Sequence, residues 1–427
     1  MKIKLNKAFR PLYYSDKRYF ILTGGRGSLK SSSTHDFVAR LTYEKGHGIL
    51  FTRYTMVSAK RSIIPEFEIT LNRLGIRHHF HITATQVINK LTGSFIYFSG
   101  IKTSSGDQTA TLKSIAGITT WIIEEGEDFK DEKTFDTIDD SIRTSTHQNR
   151  VIWIQNPTTR EHFIYKKFIK DTNKQIDVGG YSVTVSNHPQ VEHIHTTYHV
   201  AEQLGYLNKS WLQKANDSRA KAGKDHALYI STNGEQGIDK QESHYYHNYV
   251  GGWLERAEGA IFRNWIEGAF DYTLPSCVPL DWGYSPDPLA VSRMAVNTKA
   301  KLIHVDELIY RTEVDDVASA LGRAGVNKKE LIVCDTNEPR TKNAVKAAGY
   351  NINNAVKDRI VDDIRAIKKY TIVVTPKSSN YKTELNNYEW NDEKASVPID
   401  EFNHLLDGMR YGFNRLTRGR RKIRRSN

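Results

Sequence analysis

Cysteine is nearly absent from this chain: Cys277 and Cys334 are the only two among 427 residues. Each sits inside an apolar run. A disulfide framework or a cysteine zinc site needs more thiols at closer spacing, so both are expected to be reduced core residues. Long hydrophobic runs are missing as well. No stretch approaches the roughly eighteen apolar residues that cross a bilayer, and the opening MKIKLNKAFR lacks the apolar centre of a secretion signal. These absences predict a protein that is not secreted, engages no membrane and stays in the cytoplasm of the cell that makes it. Acidic charge is also in deficit, with 49 Asp and Glu against 61 Lys and Arg, a net +12. Such an excess favours a polyanionic partner, because phosphates release counterions when cations approach. Solubility alone would also account for it. The last thirteen residues, RLTRGRRKIRRSN, carry seven basic residues and no acid, which reads as a disordered arm suited to DNA.

What is present fits two domains. The length exceeds one ordinary core, and 38% hydrophobic with 26% charged residues describes a globular protein. The first half alternates strands and helices, the pattern of a parallel α/β sheet. Strands are predicted at Tyr19 to Leu22, Ile49 to Thr52, Phe95 to Phe98, Thr120 to Ile123 and Val151 to Ile154. Helical spacing marks Ser32 to Tyr43 and Ile63 to Leu74. From about Asn187 to Asn248 the chain turns polar and irregularly helical. His188, His193, His195 and His199 lie in and around that stretch without carboxylate or cysteine partners, so they are not read as a zinc site. The Gly/Trp-rich segment beginning at Tyr249 predicts a join over 249–270, dividing 1–248 from 271–427. The second part again reads as α/β, with strands at Val278 to Leu280, Leu289 to Val296, Leu302 to Leu308, Leu331 to Val333 and Thr371 to Val374. Helices are expected at Val314 to Leu321, Ile360 to Lys369 and Glu401 to Phe413.

Gly24-Gly25-Arg26-Gly27-Ser28-Leu29-Lys30-Ser31 stands between a strand and a helix, where a triphosphate loop belongs. Glycines let the N–H groups of Gly24, Gly25, Gly27 and Ser28 curl toward phosphate oxygens, and the helix N-terminus adds positive field. Lys30 would reach the β- and γ-phosphates of ATP, and the Ser31 hydroxyl would bind Mg²⁺. Leu29 takes the place of a glycine, which is tolerable only if its φ stays negative. A chance Lys-Ser after a Gly-rich turn would read the same way. The apolar strand WII, ending in Glu124-Glu125, adds the missing acids: Glu124 to hold Mg²⁺ and Glu125 to polarise water as general base. Asn156, at the tip of the next strand, can sense a γ-phosphate. Arg26 can stabilise transferring charge as a finger in cis, or bind a neighbouring group.

Asp281 ends one apolar strand of the second half, Asp335 ends another, and Asp407 projects from a late amphipathic helix beside Asn403. Three such acids can converge on hard divalent cations, since Mg²⁺ and Mn²⁺ prefer oxygen ligands. Two Mg²⁺ or Mn²⁺ ions held there would activate water and stabilise the leaving oxygen in phosphodiester cleavage. Asp306 can assist, while Glu307 reads as structural. Lys357 is either a solvated lysine or a group that reaches phosphate.

Together the GGRGSxKS loop, WIIEE, the SNHPQV and HTTY stretch, DWG, CDT and HLLDGMRYG resemble the large terminase subunits of tailed bacteriophages over nearly the whole chain. The resemblance implies an N-terminal ASCE, RecA-like P-loop ATPase domain and a C-terminal RNase H-like nuclease domain. It implies ATP-driven translocation of double-stranded DNA into a procapsid and endonucleolytic cutting of concatemers. It further implies partnership with a small terminase subunit and the portal protein, and assembly as a homo-oligomeric ring. By position, Lys30, Ser31, Glu124, Glu125 and Asn156 match the ATPase motifs, and Asp281, Asp335 and Asp407 match the nuclease acids. A cellular helicase-nuclease would need a second RecA-like domain, and a decayed DNA-binding adaptor would not retain these acids.

Overall fold

The computed structural model describes residues 6–55, 63–103, 106–107, 117–283, 287–312, 314, 316–391 and 397–418. The basic tail beyond 418 lies outside them, as does most of the segment that precedes the WIIEE strand. The chain divides into two compact units, Met1–Glu255 and Arg256–Asn427.

The first unit is built on one large sheet. Its strands run in the order Val191–His195, Tyr19–Thr23, Arg150–Gln155, Ile118–Ile123, Gly48–Thr55 and Phe95–Thr103, all parallel. Two short antiparallel strands, Gln86–Asn89 and Phe80–Ile82, extend one edge. The central strands read as unbroken apolar runs because both faces are covered. Side-chain alternation sends Phe20, Leu22, Ile49, Phe51, Ile122 and Ile152 into one core. Ile21, Leu50, Trp121, Ile123, Val151 and Trp153 enter the other. A one-residue register slip would exchange the two sets.

Helix Lys30–Leu41 packs Phe37, Val38 and Leu41 on the first core, and Ile64–Arg73 adds Phe67 and Leu71 with Pro65 in its first turn. The polar stretch from about 187 contains more order than its composition suggests. Val191–His195 is a sheet strand paired with Tyr19–Thr23, and the 23-residue helix Lys209–Ser231 is capped by the Asn208 side chain on the Trp211 N–H. An antiparallel hairpin of Asn173–Asp177 with Ser182–Ser186 precedes it. Their short length, five residues each, and polar surroundings hid these strands.

The segment 249–270, expected as a join, contributes to both units. Tyr249, Val250 and Leu254 are buried in one cluster of the first unit, while Ile261 and Phe262 enter the core of the second. Trp265–Glu267 pairs as an edge strand with Thr371–Val374. Apolar side chains outweigh the flexibility of the glycines here.

The second unit holds a mixed sheet ordered Trp265–Glu267, Thr371–Val374, Leu302–Arg311, Leu289–Asn297, Ser276–Asp281, Ile332–Cys334, Ile352–Asn354. Its three central strands form an antiparallel meander, and the flanking strands are parallel to it. Helix His404–Arg418 lies across one face, burying Leu405, Leu406 and Met409. Cys277 and Cys334 are buried and free.

Candidate functional site

Four neighbouring parallel strands of the first unit end on one cleft of about 480 Å³. The Tyr19–Thr23 strand delivers the Gly-rich loop, Arg150–Gln155 delivers Asn156, Ile118–Ile123 delivers Glu124 and Glu125, and Gly48–Thr55 delivers Arg53. Ligands of α/β sheets bind at such carboxyl ends. Gly25, Arg26, Gly27, Ser28, Lys30 and Ser31 line the cleft from one side.

Lys30 is buried, with its ammonium 2.7 Å from Gly24 O, 3.1 Å from Gly25 O, 2.9 Å from Ser28 Oγ and 3.0 Å from Asn156 Oδ1. Burial lowers its pKa to about 8, against the opposing pull of Glu127. Asn156 donates from its backbone N–H and Nδ2 to Glu127, at 3.2 and 3.1 Å. It therefore bridges Lys30 to an acid that sequence reading missed. Burial lifts the Glu127 carboxyl to about 7. Leu29 has φ +63°, in the left-handed region, so the expectation of a negative φ is corrected. The loop keeps the backbone shape that glycine normally supplies, at a cost of roughly 1–2 kcal/mol.

The glycines do more than open N–H groups to a phosphate. A Cβ on Gly24 would lie 1.9 Å from Thr196 O, and one on Gly25 would lie 2.4 Å from Tyr249 O. The Arg26 N–H donates to Asn248 O at 2.7 Å. The phosphate loop is thus strapped by the backbone around Asn248 to Gly251. The Arg26 side chain is exposed at the cleft.

Glu124 is buried to 2% exposure, and Glu125 follows it with φ +52°. Arg53 engages both: Nε lies 3.4 Å from Glu124 and Nη2 2.6 Å from Glu125. Burial raises the Glu125 carboxyl, Arg53 lowers it, and Glu124 raises it again, for a net upward shift. Arg53 was not singled out from sequence, although an arginine closing the apolar run ILFT offers the same signal as the acids after WII.

In the second unit, Asp281 ends its strand, Asp335 follows Ile332–Cys334, and Asp407 sits in the first turn of His404–Arg418. Burial raises the Asp407 carboxyl to about 6, with Arg410 opposing and Asp281 adding. Burial likewise raises Asp281, which feels both His404 and Asp335. The three acids therefore share one electrostatic site. Each has a nitrogen partner: His404 Nδ1 lies 3.3 Å from Asp281, Lys357 Nζ lies 2.6 Å from Asp335, and Arg410 pairs with Asp407. Burial acts to lower the His404 pKa, but the Asp281 hydrogen bond and the nearby acids raise it overall. An all-oxygen acid set that draws in a lysine, an arginine and a histidine suits a hard divalent ion. His404 and Arg410 escaped sequence reading, though both lie three residues from Asp407. Glu307 accepts from the Asn380 and Tyr381 backbones at 3.0 and 3.3 Å, fixing a helix start. Asp306 is held by Thr375 and Lys377.

His193 and His195 both meet the Thr23 hydroxyl, at 2.7 and 2.9 Å. Among the described residues, no helix is long and apolar enough to cross a membrane.

Residues 16–235 match the family described as phage terminase large subunit, and residues 281–415 match the terminase RNase H-like domain. The large terminase subunit of Bacillus phage SPP1 is 25% identical over 475 aligned positions, covering 97% of each chain. The large terminase of bacteriophage HK97 aligns over 96% of this chain and 95% of its own, with 9% identity and a TM-score of 0.47. The Mn-bound nuclease domain of the SPP1 large terminase covers 36% of this chain and 97% of its own, at 27% identity and a TM-score of 0.32.

Proposed function

This chain belongs to the phage terminase large-subunit family, an ATPase joined to an RNase H-like nuclease, and from that premise we propose that it translocates double-stranded viral DNA into a procapsid and cuts concatemeric DNA. The observation that carries the motor reading is the meeting of four strand ends on one cleft, which brings Lys30, Glu124, Glu125, Asn156 and Arg53 together.

Lys30 would leave its carbonyl cage for the β- and γ-phosphates of ATP, and Ser31 with Glu124 would hold Mg²⁺. That ion neutralises phosphate charge when bound. Glu125 would accept the proton of the attacking water. Arg53 holds both acids and so sets which oxygen of Glu125 faces the nucleotide. Asn156, tied to Lys30 and Glu127, would lose or keep its Lys30 contact according to the γ-phosphate. Arg26, exposed at the cleft, would stabilise transferring charge in its own or a neighbouring subunit.

At the second site Asp281, Asp335 and Asp407 would hold two Mg²⁺ or Mn²⁺ ions, whose chemistry would be to activate water and stabilise the leaving oxygen. Lys357, exposed beside Asp335, would be free to meet the DNA backbone, while the buried Arg410, also paired with Asp363, would orient Asp407. The partners implied are a small terminase subunit, the portal protein and further copies of this chain in a ring, within the host cytoplasm.

The test is plasmid cleavage and ATP turnover by the purified chain with Mn²⁺ or Mg²⁺. Asp335→Ala should lose cleavage and keep turnover, and Glu125→Gln should lose turnover while still binding ATP. Unchanged cleavage by Asp335→Ala would remove the carboxylate nuclease from this reading.

A further inference from the structure

Behind the phosphate loop lies a cluster of which the proposed ATPase chemistry uses only Glu124. His35 on helix Lys30–Leu41, Glu66 on helix Ile64–Arg73 and Glu124 after strand Ile118–Ile123 each present one ligand atom, and these atoms all lie within 4.8 Å of one another. His35 is 2% exposed and its Nε2 has no hydrogen-bond partner. A buried imidazole nitrogen left unpaired is costly, by about 1–3 kcal/mol. Its flanks are apolar: the ring packs 5.4 Å from Phe51 and 5.8 Å from Phe67.

Charge crowding points the same way. Among the described residues, Arg53 is shared between Glu124 and Glu125, and Glu66 lies beside Glu124. Glu66 itself is exposed.

We propose that His35, Glu66 and Glu124 form a divalent transition-metal site, distinct from the Asp281 cluster and sharing only Glu124 with the proposed ATPase metal site. One nitrogen and two carboxylate ligands suit Zn²⁺, Mn²⁺ or Co²⁺ over Mg²⁺ and Ca²⁺, which prefer oxygen alone. Bonds of about 2.0–2.2 Å require the three atoms to close by about 1 Å. The Glu66 side chain, on the surface, can supply that movement. A bound ion would tie two helices to the end of the Glu-Glu strand and compete with Arg53 for Glu124.

The test uses the full chain without nucleotide, so it stands apart from the ATPase reading. Mn²⁺ is the probe, titrated by electron paramagnetic resonance and examined for ¹⁴N modulation from a coordinated imidazole. Wild type should bind an ion carrying that modulation in the presence of millimolar Mg²⁺, and Asp335→Asn should keep it. Glu66→Ala, a surface change, should weaken this ion at least about tenfold, and His35→Asn should abolish the modulation. Three results would overturn the site. They are no nitrogen-coordinated ion in wild type, an unchanged ion in Glu66→Ala, or a signal lost in Asp335→Asn, which would place it at His404.

Discussion

Leu29 and Asp407 show what single residues contribute and cost. Leu29 holds a left-handed backbone at the start of the phosphate-loop helix, while its side chain packs on the first core. Replacing it with glycine relieves strain but removes that packing and loosens the unfolded chain. We expect Leu29→Gly to stay within about 1 kcal/mol of wild type and to retain ATP turnover. Leu29→Ile should cost about 1–2 kcal/mol, because a branched Cβ tolerates positive φ poorly; thermal melts of the pair decide it. Asp407 carries a different burden. Its carboxyl titrates at about 6 folded against 3.8 as a free group, so the native state binds more protons between those values. Stability therefore falls as pH rises from about 4 to 6, and the penalty is fully present above 6. In metal-free buffer Asp407→Asn should gain about 1–2 kcal/mol over wild type at pH 8 relative to pH 4. A gain that does not change with pH would contradict the assigned burial.

At the scale of elements, helix His404–Arg418 decides where the second site can form. Its start is capped by the buried Glu384, whose Oε2 accepts from Leu405 and Leu406 N–H at 2.9 and 3.1 Å. Its glycines let it approach the sheet. A Cβ on Gly412 would lie 2.7 Å from both Met294 Sδ and Pro279 Cγ, whereas one on Gly408 would meet Pro279 at 3.4 Å, an ordinary contact. Gly412→Ala should therefore lower stability by about 1–3 kcal/mol and reduce cleavage by lifting Asp407 from Asp281. Gly408→Ala should do little of either. Equal effects on melting temperature and cleavage would mean that the close approach at Gly412 does not position the acid. In the first unit the strap around Asn248 to Gly251 plays a comparable part, since its backbone sits directly on Gly24 and Gly25.

For the whole molecule, the excess of 61 basic over 49 acidic residues predicts that DNA binding is made mostly through phosphates. Affinity should fall by at least about tenfold between 50 and 200 mM salt, measured by fluorescence anisotropy on duplexes of unrelated sequence. A flat response would count against a phosphate-dominated interface.

The sequence alone determined the division into two α/β parts and the positions of the phosphate loop, the Glu-Glu strand and the three aspartates. It could do so because each lies at a local boundary, where an apolar run meets a turn, and such boundaries are written in consecutive residues. It also marked Asn156 by the same signal. Arg53, Glu127, His35, Glu384 and His404 were not legible in this way. Their meaning depends on strand order: Gly48–Thr55 lies beside Ile118–Ile123 across some seventy residues of chain, and only that adjacency sets Arg53 against Glu124 and Glu125. The sign of φ at Leu29 was likewise beyond the sequence, because intrinsic preference opposes it and only the packing around the loop overrides that preference. Local propensity reports what a residue prefers by itself; the sheet decides which distant groups share a few ångströms, and burial there sets their charge.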